Sequence, residues 1–178
     1  TASHNPKQFN VFKFANHYYE TLVNDFMMEM RRLVEEEDYE PGKKVGKVRN
    51  ENILPEYFTD LLGRLHITKP FRVVVDSSNT TAGAIAPKLL RKAGCEVIEY
   101  NTEIKQDFLE GTADPTEAKT AKRLAEEVLE SKADIGFTYD ADGDRIGIVD
   151  ESGGTIWNDV LVALMAGDVL RDHPGATI

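Results

Sequence analysis

Apolar residues follow two different rhythms along this chain. Up to about residue 66 they recur at helical spacing, with Leu22, Phe26, Met30 and Leu33 forming one stripe. A cap at Asn16 and a run to about Glu36 define the expected helix, preceded by a short strand over residues 10–14. Pro55 opens a second helix that turns Tyr57, Phe58, Leu61, Leu62 and Leu65 inward. From Phe71 the pattern alternates between short β-branched runs and amphipathic stretches. Strands are expected at 71–76, 95–100 and 134–139, and helices at 82–93 and from Asp114-Pro115 onward. The second of these helices carries Ala121, Leu124, Ala125, Val128 and Leu129 inward. Residues 145–150 return as an antiparallel partner of the third strand. A turn at 151–154, a short extended piece at 155–157 and a helix capped by Asn158 close the chain.

Strands alternating with crossover helices at these lengths define an α/β fold, a mixed, mostly parallel sheet flanked by helices on both faces (α/β/α). The breaks in pattern divide the chain into residues 1–69, 70–155 and 156–178, one complete domain between two partial neighbours. The start at Thr1 and the stop at Ile178 both read as cuts within something longer.

Composition narrows the function. Of the 178 residues 41% are hydrophobic and 29% charged, as in ordinary globular proteins. A net charge of −10 argues against general nucleic-acid binding. The single cysteine, Cys95, cannot close an internal disulfide and reads as a buried, inert thiol. No apolar run approaches a membrane span and no signal peptide is visible, so the expected compartment is the cytoplasm and no membrane partner is expected.

The densest chemistry is Asp140-Ala141-Asp142-Gly143-Asp144-Arg145, between two strand-like runs. Small residues at 141 and 143 let three carboxylates converge, and their mutual repulsion calls for a cation. An all-oxygen set suits a hard divalent ion, Mg²⁺. A lone Asp-x-Asp is usually a solvated turn, but three aspartates in strict alternation are rarer. A calcium-loop template would place Glu151 at its twelfth position, yet Arg145 stands where that loop needs glycine and the flanks are strands. A haloacid-dehalogenase-like phosphatase with Asp140 as nucleophile is the second reading, although that fold needs a lysine and acids further downstream than this chain extends. A non-catalytic metal-binding fragment is the third.

A second cluster opens the chain, where Ser3 and His4 precede Asn5, Lys7 and Lys13. An adjacent Ser-His pair alone is weak evidence for catalysis. Set beside the acidic loop, it supplies a hydroxyl able to carry a phosphoryl group, and Lys7, Lys13 and Arg145 supply cations for phosphate oxygens or a proton.

Together, Thr1–Pro6, Asn10-Val11-Phe12-Lys13 and Asp140–Arg145 resemble the α-D-phosphohexomutase superfamily, which includes phosphomannomutases and phosphoglucomutases. The run starting Phe71-Arg72-Val73-Val74-Val75-Asp76 looks like that family's second domain, and Trp157-Asn158-Asp159 like the beginning of its third. The resemblance implies that Ser3 is a phosphoserine in the resting enzyme. It implies Mg²⁺ bound by Asp140, Asp142, Asp144 and a phosphate oxygen on Ser3. It also gives Lys13 a proton-transfer role and places His4 and Arg145 near the transferred phosphate. The implied reaction interconverts hexose 1-phosphate and hexose 6-phosphate through a bisphosphate. Val11 departs from the family's usual glycine, and Ser77-Ser78-Asn79-Thr80-Thr81-Ala82-Gly83 replaces a more Gly-rich loop expected here to be structural. Sugar-reading elements lie outside the sequence, so this piece is expected to be inactive alone, and its incomplete domain surfaces can drive association.

Overall fold

The computed structural model describes residues 11–40, 42, 45–105 and 113–178. Val11–Pro55 forms one compact unit and Glu56–Ile178 another.

In the first unit the helical stripe gives α1, Asp25–Glu35, eight residues shorter at its start than the sequence pattern suggests. Asn16 explains the difference. Its side-chain Oδ1 accepts the backbone N–H groups of Tyr18 (2.8 Å) and Glu20 (3.1 Å), closing a turn instead of capping a helix. Tyr19 and Asn24 follow in left-handed backbone, at φ 65° and 51°, which no helix tolerates. Residues 11–14 form no strand; an isolated bridge joins Ala15 and Thr21, and the Phe14 carbonyl accepts the Leu22 N–H at 2.8 Å. No residue of α1 is buried, and Phe26 of the stripe is exposed. The acidic end is solvated as expected, with Arg32 gathering Glu29, Glu36 and Asp38 in surface ion pairs of little individual weight.

The unit boundary falls within the first turn of α2, Leu54–Arg64, whose Phe58 is buried. Beyond it run β1 (Arg72–Asp76), a 3₁₀ turn (Thr81–Ala84), α3 (Ala86–Lys92), β2 (Glu96–Tyr100), α4 (Ala118–Ser131), β3 (Ile135–Tyr139), β4 (Ile146–Asp150), β5 (Thr155–Ile156) and α5 (Asn158–Asp172). The sheet order is β2-β1-β3-β4-β5. β1 pairs parallel with β2 and β3, whereas β3–β4 and β4–β5 are antiparallel. The sheet is therefore mixed as expected but only half parallel, because β4 and β5 follow tight turns too short for a crossover.

Both faces of the centre are covered, which is why β1 reads Val73-Val74-Val75 without alternation. Val74 and Val149 pack with Leu124, Val128 and Ala133 under α4, each fully buried aliphatic side chain contributing about 1.5–3 kcal/mol. The opposite face carries α3 and a cavity of about 380 Å³ lined by His66, Phe71, Val73, Leu90, Cys95 and Phe137. Cys95 is half-buried. Leu129 of the expected inward set is exposed instead. α4 also starts later than Asp114. That side chain accepts the N–H and hydroxyl of Thr116 (2.9 and 2.7 Å) and closes a turn ahead of the helix. α5 ends as expected but has no buried residue, and Val160, Val162, Leu164 and Met165 are all more than half exposed.

Two acidic side chains enter the α4 face. Asp76, fully buried at the end of β1, accepts from Arg123 Nε at 2.5 Å, from Asn101 Nδ2 at 3.2 Å and from the Ser78 N–H at 2.9 Å. Glu127 is 8% exposed with one carboxylate oxygen lacking any hydrogen bond. Burial, then the negative charge of Asp76, pushes its carboxyl up to about 8, with Arg123 opposing and Glu126 and Glu130 adding to the rise. The folded protein thus holds a proton that the unfolded chain releases near pH 4.5. The stabilisation is complete below that value and is lost as pH rises through about 8. Glu127→Gln should match the parent in urea unfolding near pH 4.5 and exceed it above pH 8 by roughly 2–4 kcal/mol; equal stability at both ends would contradict this.

Candidate functional site

The parallel strands β1 and β3 end side by side, Asp76 opposite Thr138, and the acidic run leaves β3 at that edge. Ligands of α/β sheets collect there, beyond the carboxyl ends of the strands. Residues 140–145 form a tight loop into β4. The Gly143 N–H returns to the Asp140 carbonyl at 3.2 Å, and the Arg145 N–H reaches Asp140 Oδ1 at 3.1 Å. Gly143 has φ +75°, a conformation that favours glycine and places Asp144 on the same side as its predecessors. Asp140 is buried, Asp142 half-buried and Asp144 exposed, and one carboxylate oxygen from each lies within 4.8 Å of the others.

A Mg²⁺–oxygen distance of about 2.1 Å sets opposite ligands of an octahedral site roughly 4.2 Å apart. Adjacent ligands stand closer, about 3.0 Å apart, so the three carboxylates, already within 4.8 Å of one another, would draw in further to share one ion, and the donor set, oxygen alone, matches a hard cation rather than a soft one. The gradient from buried Asp140 to exposed Asp144 leaves one side of the cluster open toward solvent. Beside it lies a cavity of about 240 Å³ lined by Tyr57, Thr81, Ile85, Leu89, Asp142 and Gly143. Burial pushes the neighbouring Tyr139 hydroxyl up to about 12, so it stays protonated.

The loop after β1 supports this arrangement. Ser77, Ser78, Asn79 and Thr80 are all buried although all are polar. Their groups are satisfied within the protein. Ser77 Oγ donates to the Asn101 carbonyl (2.9 Å), Asn79 Nδ2 to the Glu103 carbonyl (2.8 Å), and Thr80 Oγ1 to the Ser77 carbonyl (2.6 Å). Ser78 and Asn79 take φ of 50° and 63°, a local strain that these bonds offset. Two hydroxyls reach the acidic loop: Thr81 Oγ1 donates to the Ala141 carbonyl at 2.6 Å, and Thr80 Oγ1 stands 3.4 Å from that of Asp140. The expectation of a structural loop holds, but its attachment to the aspartates was not readable, since adjacent threonines in a loop do not reveal which carbonyls they reach. Gly83 marks a close approach, because a Cβ there would meet the Thr102 carbonyl oxygen at 2.2 Å and Ser77 Oγ at 2.5 Å.

Of the residues singled out from sequence, the structure brings Asp140, Asp142, Asp144 and Arg145 into one loop, with Arg145 exposed at its end. Lys13 is exposed in the other compact unit. Ser3, His4 and Lys7 lie outside the described residues. The strands on either side of the loop exclude the helix-flanked calcium-binding hairpin.

Comparison with known proteins gives the same class. Residues 55–154 match the family model for the α/β/α domain II of phosphoglucomutase/phosphomannomutase. The chain belongs to the phosphoglucomutase/phosphomannomutase family. It is 39% identical over all 178 residues to a phosphomannomutase/phosphoglucomutase of Pseudomonas aeruginosa, covering 38% of that protein. It is 32% identical over the same length to a phosphoglucomutase of Neisseria meningitidis, again 38% of the relative. A phosphoglucomutase/phosphomannomutase family protein of Burkholderia thailandensis superposes with a TM-score of 0.88 at 30% identity, over 99% of this chain and 38% of that one. The chain thus spans well under half the length of these relatives.

Gly83→Ala should force the loop after β1 away from Thr102, lowering stability by about 1–3 kcal/mol in urea unfolding. A variant as stable as the parent would show that the close approach is not rigid.

Proposed function

We propose that this chain is the segment of a phosphohexomutase that carries its phosphoserine and its cation site, and that the full-length enzyme interconverts hexose 1-phosphate and hexose 6-phosphate. The observation that carries the reading is the convergence of Asp140, Asp142 and Asp144 at the sheet edge, inside the residues that match the family's domain II. The donor set suits Mg²⁺, which when bound would neutralise charge on phosphoryl oxygens.

Ser3 is the proposed carrier. In the first half-reaction the Ser3 Oγ–P bond breaks, a bond forms from phosphorus to a sugar hydroxyl oxygen, and that hydroxyl's proton passes by way of Lys13, the proton carrier assigned here, to the departing Ser3 Oγ. The product is a hexose bisphosphate. After the sugar turns over, the Ser3 oxygen takes the other phosphoryl group and the proton returns to the sugar oxygen so released. Exchange between two hydroxyl-type oxygens is close to thermoneutral, so the phosphoserine is regenerated rather than consumed. Arg145 at the open end of the loop and His4 beside the serine are assigned to the phosphoryl oxygens in flight, where fixed cationic donors lower the barrier. Asp140, Asp142 and Asp144 would hold the cation, and a phosphate oxygen on Ser3 would be a further ligand.

Because the segment spans 38% of its relatives, the 178 residues alone should show no measurable turnover. Which hexose is used is a property of the remainder. The test is a full-length protein carrying this segment, incubated with a hexose bisphosphate labelled with radioactive phosphate. Label should appear as acid-stable phosphoserine at Ser3, and Ser3→Ala should abolish both label and isomerisation. Asp142→Asn should weaken Mg²⁺ binding by roughly tenfold or more. Label on an aspartate, or full activity of Ser3→Ala, would contradict the assignment.

A further inference from the structure

The aspartates of the loop repel one another, so something other than the carboxylates must hold the loop closed before any cation arrives. Internal bonds do part of this, from Gly143 to Asp140 and from Arg145 to Asp140. Both lie within the loop and would travel with it if it pivoted. The tie to a fixed neighbour comes from the segment after β1. Thr81 Oγ1 donates at 2.6 Å to the carbonyl of Ala141, the residue between the first two aspartates.

Thr81 is itself well anchored. It opens the 3₁₀ turn Thr81–Ala84, whose Gly83 packs against the Thr102 backbone with no room for a side chain. Behind it, Thr80 Oγ1 bonds the Ser77 carbonyl at 2.6 Å and Asn79 is fixed to residues 101, 103 and 105 by three further hydrogen bonds. The buried, hydrogen-bonded segment Ser77–Thr80 thus fixes the exposed Thr81, which presents one hydroxyl to the apex of the acidic loop. Ala141 is 4% exposed, so its carbonyl has little access to water as an alternative partner.

We propose that Thr81 is a positioning residue for the cation site: its hydroxyl fixes the Ala141 carbonyl and so preorganises Asp140 and Asp142 for one shared ion. The inference rests on reading the acidic loop as a cation site. It adds that affinity in this chain depends on a hydroxyl supplied by a different loop. A residue that merely supported the fold would change stability without changing cation affinity.

Titration of the 178-residue chain with Mn²⁺, followed by the electron paramagnetic resonance signal of the free ion and by Mg²⁺ competition, separates the two. Thr81→Val keeps the shape and removes the hydroxyl, and should weaken Mn²⁺ binding about three- to tenfold, the range for one hydrogen bond. Thr81→Ser restores the hydroxyl and should bind within about twofold of the parent. Equal affinity of Thr81→Val and the parent would overturn the role of Thr81 while leaving the cation site intact. A folded Thr81→Ser that binds Mn²⁺ about three- to tenfold more weakly than the parent, despite keeping the hydroxyl, would also overturn it, and that arm stands even if the valine variant fails to fold. No saturable Mn²⁺ binding by the parent would overturn the cation reading and this inference together.

Discussion

Parallel pairing of β1 with β3 is the constraint from which the site descends. It brings two strand ends to one edge and sends two loops out side by side, so that Thr81 meets Ala141 across 60 positions of sequence. Hydrophobicity alone does not set this register, because Val73, Val74 and Val75 are buried on both faces. Asp76 does. A slip of one residue would turn its carboxylate to the α3 face, away from Arg123, and leave a buried charge without its partner.

The edge is built from polar groups that have been taken out of water and then supplied with partners. Asp76 and Asp140 are both fully buried, and each accepts at least one backbone N–H. Buried polar groups with their bonds made are rigid, and the same groups left unmade are costly, so the loop after β1 has little freedom to rearrange. Rigidity of this kind suits a site that must hold three like charges together. Glu127 shows the opposite case in the same layer: with one oxygen unsatisfied and Asp76 nearby, it keeps a proton that an exposed glutamate would lose.

Much of this was legible from the residues. The strand-helix alternation after Phe71 gave the sheet, and the tight loop at 140–145 gave the antiparallel return, because such features depend on local period and turn chemistry. The acidic loop was legible because three aspartates alternating with Ala and Gly leave few other uses. What escaped depends on side chains choosing backbone partners. Asn16 and Asp114 both look like helix caps in sequence, and both close turns instead, since the same side-chain oxygen serves either purpose. Thr81 looked like an ordinary loop residue because its partner comes from another strand's loop. Exposure of Leu129 and of the apolar residues of α5 was hidden for a related reason: apolar spacing marks a face for burial without saying what covers it.

The most direct test of the cation site is diffraction from crystals of the chain soaked in Mn²⁺, with anomalous differences measured. A single strong peak within coordination distance of carboxylate oxygens from Asp140, Asp142 and Asp144 is the expected result. A map whose only peaks lie elsewhere, with the three carboxylates turned apart and unliganded, would contradict it.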